Sequence, residues 1–183
     1  NEGRDRVFNK AAYRLGFPER WVSELVEIHR SHLPSINLAP EVPSVLADLR
    51  KRYCLGCITD GIGEVQQRKI VALGVSSLLD SVIITGYLGR EHWKPDSLPF
   101  RLCCEELGIE PVEAVYVGDN PERDIAGARR VNMISVRIVR PTSWFCDYES
   151  CKPEEEPDFY IRDLTELVPI LDKYDKASRK VPS

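Results

Sequence analysis

From residue 42 onward, short apolar runs alternate with helical segments, and this alternation limits the folds that the chain can adopt. Each apolar run is nearly continuous rather than interrupted at every second residue, which is typical of strands that are buried on both faces. Strands of this kind, separated by helices, form parallel sheets. The sequence therefore predicts an α/β fold, with a parallel sheet that is covered by helices on both faces.

The predicted elements divide the chain into three parts. The strands cover residues 53–59, 82–84, 114–117, 133–139 and 159–161, and the helices between and after them cover residues 42–52, 64–73, 95–107, 122–131 and 163–174. Two amphipathic helices precede them, at 3–16 and 18–32, and a linker with two prolines follows at 34–40. We therefore predict a helical portion at 1–38, an α/β core at 39–175 and a tail at 176–183.

The composition excludes several classes of function. A net charge of −4 gives no electrostatic attraction for nucleic acids. No apolar run approaches the roughly 18 residues that a membrane helix needs, and the polar residues 1–8 do not form a signal peptide. We expect a cytoplasmic protein without nucleic-acid or membrane partners, and its oligomeric state stays open. Cys146 and Cys151 share a loop and could form a disulfide, although free thiols are favoured in the cytoplasm.

A pair of carboxylates follows the predicted strand at 114–117. The strand ends in Gly118 and Asp119, and Asp124 lies in the first turn of the next helix. Ligands of open α/β sheets bind at the carboxyl ends of the strands, and two neighbouring carboxylates suit a hard cation such as Mg²⁺. The alternative is structural, because Asp119 could begin a turn and Asp124 favours a helix N-terminus. These residues alone leave both interpretations open.

Two further strand ends carry residues that suit a phosphate group. The first predicted strand ends in Thr59, Asp60 and Gly61, where a hydroxyl and the following backbone N–H groups can hold phosphate oxygens. Lys94 follows the second strand just before a helix, so its ammonium group can neutralise phosphoryl charge in the same crevice. Taken singly, the first could be only a turn and the second only a surface lysine. Their order on three successive strand ends favours a shared site.

These residues, in this order, resemble three motifs of the haloacid dehalogenase (HAD) superfamily. The matching segments are Ile58-Thr59-Asp60-Gly61, Lys94-Pro95-Asp96, and Val117-Gly118-Asp119-Asn120 with Asp124. The resemblance covers roughly residues 40–165 and implies a Rossmann-like (HAD-type) sheet, preceded at 1–38 by part of an α-helical cap. It also implies a Mg²⁺-dependent phosphatase of small phosphorylated metabolites, which works through an aspartyl-phosphate intermediate.

The resemblance also implies roles by position. Thr59 would bind the phosphoryl oxygens through its hydroxyl, and the backbone of the next two residues would assist. Lys94 would stabilise the charge of the nucleophile and of the phosphoryl group. Asp119 would ligate Mg²⁺, and Asp124 would support the metal, either directly or through water.

The sequence departs from the family at its first motif. That motif is an Asp-x-Asp at the end of a central strand, and it supplies the nucleophile and the general acid/base. This sequence has no Asp-x-Asp and no apolar strand before residue 53, so two strands of the sheet would lose a pairing partner. Either the missing residues lie upstream of Asn1, or the protein is a relative without a nucleophile. The first is favoured because residue 1 is not Met and because the chain starts inside a cap-like helix.

We therefore expect the chain as written to keep a phosphate pocket and part of a metal site, but to be inactive. The alternative is a catalytically inactive HAD-fold protein that binds a phosphorylated ligand or has a regulatory role. A plain structural module is a further alternative, and a response-regulator-like receiver fits less well because the acidic pair follows the lysine. Trp21, Tyr87 and Trp93 could line a leaving-group pocket, although core packing is favoured for each. The sequence does not identify the substrate.

Overall fold

The structure is a computed structural model, and it describes residues 7–149 and 152–178. Within these residues the α-helices are Val7–Leu15 (α1), Trp21–Ser31 (α2), Val42–Leu49 (α3), Gly63–Leu73 (α4), Leu98–Leu107 (α5), Ala126–Arg130 (α6) and Leu167–Ser178 (α7). The strands are Gly56–Thr59 (β1), Ser81–Ile84 (β2), Val115–Gly118 (β3), Ile134–Ile138 (β4) and Phe159–Ile161 (β5). Strands and helices alternate from α3 onward, as the sequence predicts.

The described strands form two parallel sheets rather than one. One sheet contains β1 and β2, and the other has the order β3-β4-β5, with every pair parallel. A cavity of about 640 Å³ is lined by residues of both β1 and β3, among them Ile58 and Val115. The gap that the predicted absence of a central strand would leave therefore lies between β1 and β3. The predicted α/β class, with parallel strands flanked by helices, is confirmed.

Helix α5 supplies the core that the two sheets share. It packs against β1 and β2, and its Phe100 is completely buried. Phe100 belongs to one apolar cluster with Ile58 of β1 and Ala128 of α6, and its ring centroid lies 4.9 Å from that of Tyr116 on β3. This aromatic contact joins the sheets on the side of α5. A second cluster, with Val136 and Ile161 at its centre, packs β4 and β5 against α3 and α7.

The first two helices pack against each other, and α2 also contacts α4. The rings of Phe8 and His29 lie 5.6 Å apart, and the Arg68 guanidinium donates a hydrogen bond to the carbonyl of Arg30. The division of the chain at residue 38 stays a prediction. No helix in the described ranges combines the length and the apolar character that crossing a membrane requires.

Several element boundaries differ from the predictions. Helix α5 begins at Leu98 rather than at residue 95, and the Asp96 carboxylate accepts a hydrogen bond from the Leu98 N–H at 3.1 Å. The predicted helix at 122–131 begins as a π-helical turn over Pro121–Ile125 before α6. The possible bridge from Cys146 to Cys151 lies partly outside the described residues.

We expect Phe100→Ala to lower the free energy of unfolding by about 3–5 kcal/mol, because it leaves a cavity where both sheets meet. Urea denaturation measures the change. Trp144 is 91% exposed, so Trp144→Ala is the matched control and should stay within about 0.5 kcal/mol. An equal loss in both variants would contradict this description of the core.

Candidate active site

A buried ion pair between Lys94 and Asp124 forms the centre of the site. The Lys94 Nζ lies 2.6 Å from Asp124 Oδ1, and the two side chains are only 12% and 8% exposed. The same ammonium group donates to the Tyr116 hydroxyl at 3.2 Å and to the Ile58 carbonyl at 3.3 Å. Lys94 therefore contacts β1, β3 and the turn that follows β3.

Asp124 reaches the tip of β3 because residue 118 has no side chain. A Cβ on Gly118 would lie 2.4 Å from the Asp124 Cβ, so any larger residue would displace the carboxylate. The Asp124 Oδ1 also accepts from the Tyr116 hydroxyl at 3.1 Å, and Oδ2 accepts from the Asn120 N–H at 3.1 Å. The Asn120 side chain in turn accepts from the Arg123 N–H, which fixes the start of the π-helical turn.

Asp119 lies in the same loop, and its side chain contacts a different segment. Its Oδ2 accepts a hydrogen bond of 2.7 Å from the Ser143 hydroxyl, which belongs to the long loop after β4. Arg140 of this loop forms an ion pair with Glu41, the residue that precedes α3. The loop is therefore held across the carboxyl end of β4, next to Asp119.

These residues enclose a cavity of about 430 Å³ at the carboxyl ends of β1, β3 and β4. Two carboxylates, a lysine, an arginine and three hydroxyl side chains line it, together with backbone at the tip of β3. The polar lining residues are Lys94, Tyr116, Asp119, Asp124, Arg140, Thr142 and Ser143. The predicted residues Lys94, Asp119 and Asp124 are thus brought together.

Thr59 is the last residue of β1, and Asp60 and Gly61 follow it directly. None of these three predicted phosphate-binding residues lines the cavity, although the preceding Ile58 does. The Thr59 hydroxyl donates to Gln66 Oε1 of α4 at 2.9 Å. Gly86 approaches this loop so closely that a Cβ would lie 2.0 Å from the Gly61 carbonyl oxygen. Gly61 and Gly86 line a smaller hollow of about 240 Å³, to which Tyr87 and Trp93 also contribute. Tyr87 is 60% exposed and Trp21 is 48% exposed, so core packing was the wrong prediction for both.

The side chain of Asp60 points into the protein and ties the loop to the rest of the site. Its Oδ1 accepts from the Thr85 hydroxyl at 3.0 Å and from the Lys94 backbone N–H at 3.2 Å. Its Oδ2 lies 3.3 Å from the Arg123 guanidinium, and only 9% of the Asp60 side chain is exposed. Asp60 therefore links the end of β1 to the lysine and to the π-helical turn.

The electrostatic environment of the site changes the pKa of Tyr116. Burial raises the pKa of the Tyr116 phenol well above its ordinary value, and the neighbouring Asp124 carboxylate raises this pKa further. The phenol therefore stays protonated, and its hydrogen can bond to Asp124 while its oxygen accepts from Lys94.

Comparison with known proteins identifies the family. A sequence model of haloacid dehalogenase-like hydrolases matches residues 5–138. The chain belongs to this family. It is 33% identical over 168 residues to the phosphoserine phosphatase of Thermus thermophilus. The aligned region covers 90% of this chain and 63% of the relative. The glyceraldehyde 3-phosphate phosphatase of Methanopyrus kandleri is 32% identical over 170 residues, covering 91% of this chain and 71% of the relative.

A solved HAD structure agrees with this assignment. The HAD phosphatase from Thermococcus onnurineus has a TM-score of 0.62 and 26% identity, over 91% of this chain and 86% of that one. The predicted membership of the HAD superfamily is confirmed. The chain spans somewhat less than two thirds of the length of the Thermus relative.

The two carboxylates of this HAD-like chain suit Mg²⁺ as part of a ligand set. Mg²⁺ prefers oxygen ligands and is commonly held by one or two carboxylates together with water and phosphate oxygens. Asp119 and Asp124 both line the cavity. Among the described residues, no group of three or more acidic, histidine or cysteine side chains is placed to hold an ion by itself. Water and phosphate oxygens would therefore have to complete the coordination.

Sequence reasoning missed five side chains that contact the predicted residues, namely Gln66, Thr85, Tyr116, Arg123 and Ser143. Tyr116 could have been found, because it shares a strand face with Gly118 two residues before the tip. Ser143 lies in a loop without periodic pattern, and its contact with Asp119 spans 24 residues of sequence. Contacts of this kind depend on the tertiary structure.

We expect Tyr116→Phe to lower the free energy of unfolding by about 1–3 kcal/mol at pH 7, because Lys94 and Asp124 each lose a hydrogen bond. The raised pKa also predicts a pH effect. Above about pH 10 the unfolded chain releases the Tyr116 proton while the folded protein keeps it, so the stability of the unsubstituted chain falls with rising pH.

The phenylalanine variant lacks this proton and should lose stability less steeply above pH 10. Urea denaturation of both proteins between pH 7 and pH 11 measures the difference. Parallel declines would show that Tyr116 ionises as easily in the folded protein as in the unfolded chain.

Proposed function

We propose that this chain belongs to a Mg²⁺-dependent HAD phosphatase of small phosphorylated metabolites. The reaction would pass through an aspartyl-phosphate, as the family resemblance implies, and under this proposal the nucleophilic Asp would lie outside the given sequence. The observation that carries the proposal is the convergence of Lys94, Asp119 and Asp124 on one cavity at the strand ends. Relatives named as phosphatases at 33% and 32% identity support the reaction class.

The residues of this chain would bind and orient the phosphoryl group. The Thr59 hydroxyl and the backbone after it provide hydrogen-bond donors, and the Lys94 ammonium neutralises negative charge. Because the Asp60 carboxylate accepts from the Lys94 backbone, the loop and the lysine keep a fixed relative position. The lysine and the backbone donors of the loop are therefore held in position before the substrate enters.

Asp119 and Asp124 would hold Mg²⁺ at the same cavity. The Asp124 carboxylate is already bound by Lys94, Tyr116 and the Asn120 N–H, which suits a supporting role through water. Asp119 has the better placement for direct coordination, because Ser143 fixes one carboxylate oxygen and the cavity is open beside it. When bound, Mg²⁺ would neutralise charge on the phosphoryl oxygens.

We expect Asp119→Asn to weaken Mg²⁺ binding to the 183-residue chain by at least about tenfold, because it removes a carboxylate ligand. Isothermal titration with MgCl₂ in the presence of inorganic phosphate measures the affinity. Asp48→Asn is the matched control, since it makes the same charge change at an aspartate whose side chain is 70% exposed. Equal affinities in the two variants would favour the structural interpretation of Asp119.

We further expect the chain as given to release no phosphate from small phosphorylated metabolites, because it lacks the Asp-x-Asp motif. A phosphate-release assay, with and without Mg²⁺, tests this on a 183-residue protein whose mass has been verified. Mg²⁺-dependent turnover would show that another residue acts as the nucleophile.

An inactive phosphate-ligand-binding or regulatory HAD protein is the second candidate. The observation in its favour is the absence of Asp-x-Asp from the sequence. A reading frame that encodes no such motif before Asn1 would support it, and a reading frame that encodes one would support the phosphatase.

A further inference from the structure

The side chain of Gln66 contacts two residues of the proposed phosphate-binding loop at once. Its Oε1 accepts the Thr59 hydroxyl hydrogen at 2.9 Å. At the other end of the amide, Nε2 lies 2.3 Å from the position that a Cβ on Gly61 would take, so the amide is packed directly over that glycine. Residue 66 follows the first residues of α4, and its N–H bonds to the Ile62 carbonyl at 3.0 Å. The amide is thus held by a helical backbone.

This contact limits what Thr59 can donate. A threonine hydroxyl has a single hydrogen, and in the structure this hydrogen is directed to Gln66 Oε1. A phosphoryl oxygen can only accept hydrogen bonds, so it must take the same hydrogen if Thr59 is to bind it. Phosphate binding therefore requires the Thr59 hydrogen to leave Gln66.

An amide allows this exchange while it keeps a hydrogen bond to the Thr59 hydroxyl. When the side-chain amide turns over, Nε2 replaces Oε1 beside Thr59 and donates to the hydroxyl oxygen, while the hydroxyl hydrogen points to the phosphate. A carboxylate at the same place has only acceptors and would keep the hydrogen. An apolar side chain forms no hydrogen bond with the Thr59 hydroxyl, so it neither accepts the hydrogen nor directs it to the phosphate.

We propose that Gln66 is a positioning residue that sets the direction in which the Thr59 hydroxyl donates. In the absence of phosphate, Gln66 accepts this hydrogen and keeps the hydroxyl ordered over the loop. With phosphate present, the reversed amide donates to Thr59 and directs its hydrogen toward the phosphoryl oxygen. The inference rests on the proposed phosphate-binding function of Thr59, and it adds a residue that the family resemblance did not supply.

Three variants separate this role from a general structural one. Gln66→Glu keeps the size of the side chain but can only accept, Gln66→Met keeps an unbranched side chain without strong hydrogen-bonding groups, and Gln67→Glu adds the same charge at the next, exposed position of α4. The probe is inorganic phosphate with Mg²⁺ present, measured by isothermal titration at two salt concentrations. Urea denaturation of each variant checks that it is folded.

We expect Gln66→Glu to weaken phosphate binding by at least about tenfold. The Thr59 hydroxyl then donates to the new carboxylate, and the negative charge of this carboxylate repels the phosphate. Gln66→Met should stay within about fivefold of the unsubstituted chain, since the Thr59 hydrogen is free. Gln67→Glu should change the affinity by less than about twofold, and this small change should shrink further at higher salt.

Two results would overturn the inference about Gln66 alone. One is that Gln66→Glu binds phosphate as Gln67→Glu does, and the other is that Gln66→Met loses as much affinity as Gln66→Glu. Thr59→Ala serves as the reference for the underlying site. If the unsubstituted chain binds no phosphate, or Thr59→Ala binds it equally well, both the inference and the proposed role of Thr59 fail.

Discussion

The Lys94 ammonium group is the polar contact on which the arrangement of the site depends. β1 and β3 belong to different sheets, and Lys94 bonds to the Ile58 carbonyl of the first and to the Tyr116 hydroxyl of the second. Its third bond, to Asp124, adds the turn that follows β3. The aromatic contact of Phe100 with Tyr116 supports the same junction from the apolar side. One cation thus positions three segments around the cavity.

Two ion pairs, one buried and one partly buried, hold the segments of the site together. Lys94 pairs with Asp124, and Asp60 pairs with Arg123, and each pair joins segments that are far apart in the sequence. Removing one partner of a buried pair is costly because the other charge stays buried without compensation. The Asp60 carboxylate also accepts from the Lys94 backbone, so both pairs act on the same lysine. One aspartate, Asp124, therefore pairs with the charge of Lys94, and another, Asp60, fixes the position of its backbone.

Much of the site could be predicted because strand ends obey a simple rule. Asp119, Asp124 and Lys94 follow successive strands, and parallel strands place their carboxyl ends at one edge. The interpretation of Asp60 was incomplete, since only its backbone was assigned a role while its carboxylate links Thr85, Lys94 and Arg123. No periodic pattern in the sequence records such a link. The start of α5 at Leu98 was also missed, although there the Leu98 N–H donates a local hydrogen bond to the Asp96 carboxylate.

The sequence by itself determined the alternation of strands and helices, the parallel arrangement and the set of residues at the strand tips. These features follow from local periodicity and from the geometry of parallel strands. Only the tertiary structure decided which partner each polar group has, such as Gln66 for Thr59 and Ser143 for Asp119. A hydrogen bond requires two atoms within about 3 Å, and the packing of distant segments sets that distance.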